Sequence, residues 1–303
     1  MLKLIRSVFF GNYFIGFIAI ALSVESCVQL HLPLNSLLYY IILFCATVFY
    51  YTYAYLGPLS GNKTMNPRKT WYIKNHKRII WSQRILFLIG VQLGCFFIYK
   101  NDAAIKHLPI DYWSAIGVML MAGILYYGLL PKSFYTINLR STGWLKAFII
   151  GFVWACCANI LSFIVVQIES GIHTAETILL VWLFIKNWMF CTVNAIIFDI
   201  KDYADDSNKQ LKTFVVRFGL RKTIFFILLP LIIIGLFSLI AFTTLRHANF
   251  IAVGFNLIPF VLLLMIAWSM HKPHKILYYL VVIDGLIFFK AVCGIIGMHF
   301  IKK

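Results

Sequence analysis

The chain has 303 residues, of which 62% are apolar and only 12% charged. Soluble domains carry roughly 25% charge, so this sequence cannot furnish a polar skin, and a water-soluble globular fold is excluded. The formal net charge of +17 needs no nucleic acid partner, because membrane topology and anionic lipid heads account for a basic excess.

Apolar blocks predict about nine helices, at 8–27, 36–56, 85–99, 112–130, 145–166, 177–198, 223–243, 248–269 and 276–298. At 1.5 Å per residue, about 20 residues cross the hydrocarbon core. Helices satisfy their own backbone bonds there, whereas outer-membrane strands would be shorter and would alternate. The expected fold class is therefore all-α: a polytopic transmembrane helical bundle, a single domain over 1–303. In the first block, Lys3 and Arg6 precede an apolar run and Ala19-Ile20-Ala21 loosely resembles a cleavage site. Gly11, Asn12 and Gly16 interrupt that run and further spans follow at once, so it reads as a span rather than a signal peptide. The third block is the shortest and could extend back to Trp81. The seven cysteines lie in or at the ends of blocks without metal-ligand spacing, and read as small packing residues.

Charge sets the expected orientation. Most of the 27 basic residues fall at the N-terminus and on the even-numbered connections, while the odd connections and C-terminus hold only Lys100, Lys106, Arg246, Lys302 and Lys303. Basic loops stay inside, so the N-terminus and even loops are expected in the cytoplasm, in a multi-pass protein of the plasma (inner) membrane. Two of those loops are long, about 57–84 and 199–222. Chemistry on a soluble, charged group is expected where these two meet the bundle.

The second long loop opens on an acidic cluster. Four of the ten acids fall together, at Asp199, Asp202, Asp205 and Asp206. If the sixth helix continues, Asp199, Asp202 and Asp206 share one face at spacings of three and four. Carboxylates so placed repel one another unless a cation joins them, and hard oxygen ligands suit Mg²⁺ shared with phosphates. A merely solvated acidic loop has the same spacing. Lys212 follows, and Arg68, Lys69, Lys77 and Arg78 come from the first long loop. Carboxylates, a metal and surrounding cations are what a diphosphate requires.

Asn194 to Gly219 resembles the second aspartate-rich motif of the UbiA superfamily of intramembrane prenyltransferases. Asp199, Asp202, Asp206, Thr213 and Gly219 match that motif in order. Tyr127 followed by Lys132 is similar to a family Tyr–Lys pair, one residue further apart. The resemblance implies a Mg²⁺-dependent transferase. Asp199, Asp202 and Asp206 would be metal ligands and, with Tyr127 and Lys132, catalytic. By their charge, rather than from the resemblance, Arg68, Lys69, Lys77, Arg78 and Lys212 are expected to contact the diphosphate. The partners implied are a prenyl diphosphate, an aromatic or other lipophilic acceptor and membrane lipids; no obligate protein partner is indicated.

The first family motif, an Asn and two aspartates after the second span, is missing: no acid occurs between Glu25 and Asp102. A rewired or non-catalytic member of the fold, or a transporter of a lipid or small molecule, therefore stands as the alternative. Lys186 and Asp284 are the main charges expected at membrane depth, where each must face inward or find a partner, and they could pair.

Overall fold

The computed structural model describes residues 2–53, 55–56, 67–127, 143–172, 176–203, 211–272 and 274–300, and every regular element among them is helical. In chain order, α1 is Leu2–Phe10, α2 Tyr13–Gln29, α3 Leu37–Tyr53, α4 Pro67–Lys74, α5 His76–Lys100, α6 Asp102–Lys106 and α7 Ile110–Tyr127. They are followed by α8 Leu145–Ser170 and α9 Thr177–Lys201. A helical segment from Phe214 is then broken at Gly219, where φ is 77°. Beyond it run α10 Leu220–Leu245, α11 Phe250–Ser269 and α12 Ile276–Met298.

Among the described residues, six helices are long and apolar enough to cross a membrane, or seven if the bent pair α1–α2 is one span. The apolar helices α3 and α7 occupy the second and fourth predicted blocks but are shorter. Two boundaries differ from expectation. The third block begins at His76 rather than 85, so Lys77, Arg78 and Arg84 sit on a helix instead of in a loop. Such cations lie comfortably at a helix end, since long basic side chains can reach the interface. The sixth block runs on to Lys201, with Asp202 as its cap, so Asp199 lies in its last turn; Asp205 and Asp206 lie outside the described residues.

The first block is bent by 61° between α1 and α2. Asn12 takes the left-handed conformation there (φ 63°), which asparagine tolerates better than most residues. The bend frees the Phe10 carbonyl, and Arg68 donates to it from Nε at 3.3 Å and Nη2 at 3.1 Å. Tyr72 adds a third bond at 2.9 Å, and Arg68 also donates to Asn12 Oδ1. Burial pushes the Tyr72 phenol up to about 12, so it remains a donor at neutral pH. α4 thus holds the bend closed.

The spans associate through small residues and buried polar groups, because lipid supplies no hydrophobic force between helices. A Cβ at Gly151 of α8 would overlap the Thr192 hydroxyl of α9. A Cβ at Gly294 of α12 would overlap the polar ends of Glu25 and Gln29 on α2. That second approach centres on a charged knot. Lys290 Nζ lies 2.6 Å from Glu25 Oε2, and Lys186 Nζ lies 3.5 Å from Glu25 Oε1 and 2.7 Å from Gln29 Oε1. Asn187 accepts from Lys290 and donates to Asn159 at 3.1 Å; Gln29 donates to Asn256 at 3.1 Å. All seven side chains are buried. The expected Lys186–Asp284 pair is therefore corrected: Lys186 takes Glu25 and Gln29. Two residues on α9 and α12 meet Glu25 because it lies one turn from the end of α2, at the depth of both lysines.

Candidate functional site at the end of α9

The last turn of α9 places Asp199 inside the bundle and Asp202 at its rim. Asp199 is buried, and its Oδ1 lies 2.6 Å from Lys146 Nζ in the first turn of α8. Asp202 is more exposed and lies 3.1 Å from Lys201. The close approach of α8 and α9 at Gly151 aligns their ends and brings Lys146 beside Asp199. The turn entering α8 is fixed the same way: Gly143 has φ 70°, and a Cβ there would overlap the main chain of Lys212. The Lys212 main chain thereby packs on Gly143, three residues before Lys146.

The other expected site residues distribute unevenly. Asp206 and Lys132 lie outside the described residues, as does the side chain of Tyr127, at the end of α7. Arg68 is buried against the α1–α2 bend, with its guanidinium 4.5 Å from the Tyr55 ring centroid. Lys69, beside it on α4, is partly buried. Lys77 and Arg78 line an open groove on α5 that includes neither Asp199 nor Asp202. Asp284, near the start of α12, is buried within electrostatic reach of Arg68 and Lys201, which sets it toward this same end of the bundle.

An apolar cavity of about 460 Å³ opens between α3, α7 and α8. Ile149 and Ile150 line its α8 wall one turn from Lys146, and Val153, Trp154 and Cys157 continue the wall deeper. The Trp154 indole donates to the Tyr51 hydroxyl at 2.6 Å, which satisfies both polar groups and leaves the wall apolar. The cavity wall thus begins one helical turn along α8 from the Lys146–Asp199 pair, although neither of those residues lines it. The cavity's size is in the range of small-molecule pockets, roughly 300–1,000 Å³.

Residues 103–277 match the model of the UbiA prenyltransferase family. This chain is a member of that family. No curated protein and no solved structure matches it. Members of the UbiA family generally use Mg²⁺ through aspartate-rich motifs. Two hard carboxylates are a fitting donor set, because Mg²⁺ is usually held by one or two carboxylates together with substrate phosphates and water. Among the described residues, no three His, Cys, Asp or Glu side chains gather as a ready cage. In this UbiA chain the sequence reading missed Lys146, Glu25 and Lys290. In the sequence Lys146 reads as one more basic residue at the edge of an apolar block. Its place in the first turn after a glycine, opposite an aspartate that ends the next helix, was the available signal.

Proposed function

We propose that this protein transfers an isoprenoid group from a prenyl diphosphate to an aromatic or other lipophilic acceptor within the membrane. The observation that carries the reading is the Lys146–Asp199 pair at the end of α9, set one turn from the apolar cavity between α3, α7 and α8. The diphosphate would sit at the charged end and the isoprenoid in the cavity. Asp199 and Asp202, joined by Asp206, would hold Mg²⁺, which supplies positive charge to the leaving diphosphate. Lys146 would turn from Asp199 to a phosphate oxygen, and Lys212 would approach from the loop that packs on Gly143. The carbon–oxygen bond breaks with its electron pair leaving on the diphosphate, the acceptor's electrons form the new bond to the allylic carbon, and the acceptor then releases a proton to water. The Ile149–Ile150 wall keeps water from the cation. Tyr127 and Lys132 would stand near the reacting carbon, as the family's pair implies.

Binding of a prenyl diphosphate series to the purified protein, with and without Mg²⁺, tests this. Asp202→Asn is expected to abolish the magnesium-dependent part of binding and leave the rest. Unchanged magnesium dependence in that variant would place the site elsewhere. A second reading, a rewired member without transfer, is favoured by the acid-free stretch between Glu25 and Asp102. It expects binding without release of diphosphate when acceptors are supplied.

The orientation that suits this chemistry puts the Asp199 end in the cytoplasm. Single cysteines introduced into a cysteine-less background at Lys74 and Lys212 are expected to resist impermeant thiol reagents in intact cells. One at Lys106 is expected to react. Labelling at Lys74 and protection at Lys106 would reverse the topology.

A further inference from the structure

α5 is the most peripheral long helix. Only Ile79 and Gln83 are buried along its 25 residues. One of its faces carries an open groove of about 480 Å³, lined by Lys77, Arg78, Trp81, Ser82, Ile85 and Leu86. These residues fall in three pairs at steps of four, so they stack along the helix, about 6 Å apart. The order along the axis is two cations, then an indole and a hydroxyl, then two aliphatic side chains.

Among the described residues, neither Lys77 nor Arg78 has an ion-pair partner. Their own stretch of chain supplies none either, since no acid lies between Glu25 and Asp102. The Trp81 ring is 63% exposed and takes the Arg84 guanidinium at 5.7 Å, adding a third cation at the groove's edge. Ser82 is tied to the Tyr13 hydroxyl at 2.5 Å, which joins the groove to the bent N-terminal segment, where Lys3 and Arg6 are also exposed. Among the described residues, nothing supplies the counter-charge to this basic end of the groove.

We propose that this groove binds an anionic glycerophospholipid, its phosphate between Lys77 and Arg78, its ester region against Trp81 and Ser82, and an acyl chain along Ile85 and Leu86. The axial order of the side chains matches the order of groups in such a lipid: charge, polar ester, hydrocarbon. Exposed indoles favour the ester zone of a bilayer, and basic side chains near a membrane surface attract anionic headgroups. The site is distinct from the Asp199 end and stands whether or not transfer occurs there.

The test is native mass spectrometry of protein released from bilayer discs of mixed phosphatidylglycerol and phosphatidylcholine. The parent is expected to retain phosphatidylglycerol preferentially. At about five-fold per cation, Lys77→Gln with Arg78→Gln should reduce that preference by about 30-fold. Lys100→Gln with Lys106→Gln removes the same charge at the other end of α5 and should not change it. Ile85→Asp leaves both cations and should still release the lipid. An unchanged preference in the first pair, an equal loss in the control pair, or retention in Ile85→Asp would each overturn the assignment. So would displacement of the lipid by inorganic phosphate alone, which would make the groove a simple oxyanion site. All variants alter exposed positions, and size-exclusion profiles confirm that they remain folded.

Discussion

Glu25→Leu is expected to cost about 3–5 kcal/mol of stability, the usual range for removing one partner of a buried ion pair. Glu25 is fully enclosed, and both Lys290 and Lys186 converge on its carboxylate. Deleting it leaves two ammonium groups facing each other inside the bundle with only amide carbonyls to satisfy them. Neither can reach water, because each lies well within its span. Glu25→Gln keeps the shape and one acceptor but removes the charge, and it should be nearly as damaging. A double variant, Glu25→Leu with Lys290→Met, removes a charge of each sign and leaves Lys186 on Gln29. It is expected to recover part of the loss, since buried pairs are often replaced at small cost when both members go. Thermal unfolding in detergent reads all three. If Glu25→Leu melts at the parental temperature, the knot contributes little to the bundle. If the double variant is worse than the single, the coupling has the wrong sign.

The second large effect is at Asp199 and Lys146, and there the two variants should diverge. Asp199→Asn is expected to reduce transfer at least about 100-fold, comparable with removing one preorganised electrostatic group from a reacting centre. It should also weaken Mg²⁺. Lys146→Met is expected to reduce transfer by a similar factor while strengthening metal binding in the absence of lipid. The reason is competition: Lys146 occupies an oxygen of Asp199 at 2.6 Å, and a metal must displace it. Once displaced, the ammonium is free to meet diphosphate, so its loss harms the loaded state and helps the metal-only state. Titration with Mn²⁺ followed by electron paramagnetic resonance gives metal affinity, and diphosphate release gives turnover. Weaker metal binding in Lys146→Met would mean that the lysine supports the carboxylate instead of competing for it.

Much of the architecture is legible in the sequence because bilayer thickness dictates block length. The apolar runs at 177–198 and 276–298 become helices close to those limits, and the aspartate spacing after the sixth block marks the charged end of α9. What escaped reading depends on contacts between distant segments. Arg68 looks like one more loop cation, yet it is buried, because the Asn12 bend exposes the Phe10 carbonyl to it. Glu25 looks like a boundary residue, yet two lysines far along the chain require it. Lys146 and Asp199 are 53 positions apart, and only the Gly151 approach of two helices brings them together. Lys77 and Arg78 read in the sequence as loop cations, yet they sit on α5, where helical register stacks them with Trp81, Ser82, Ile85 and Leu86 along one groove.

The Glu25 knot also imposes a schedule on biosynthesis. Glu25 enters the membrane with α2, but Lys186 is made 161 residues later and Lys290 265 residues later. At about 5–20 residues per second, the carboxylate waits roughly 10–30 s for the first lysine and 15–50 s for the second. During that interval a polar helix must be sheltered by the insertion machinery or carry its proton. The arrival of α12 then brings more than one further helix: it completes the charge balance of α2, so these two distant segments mature together.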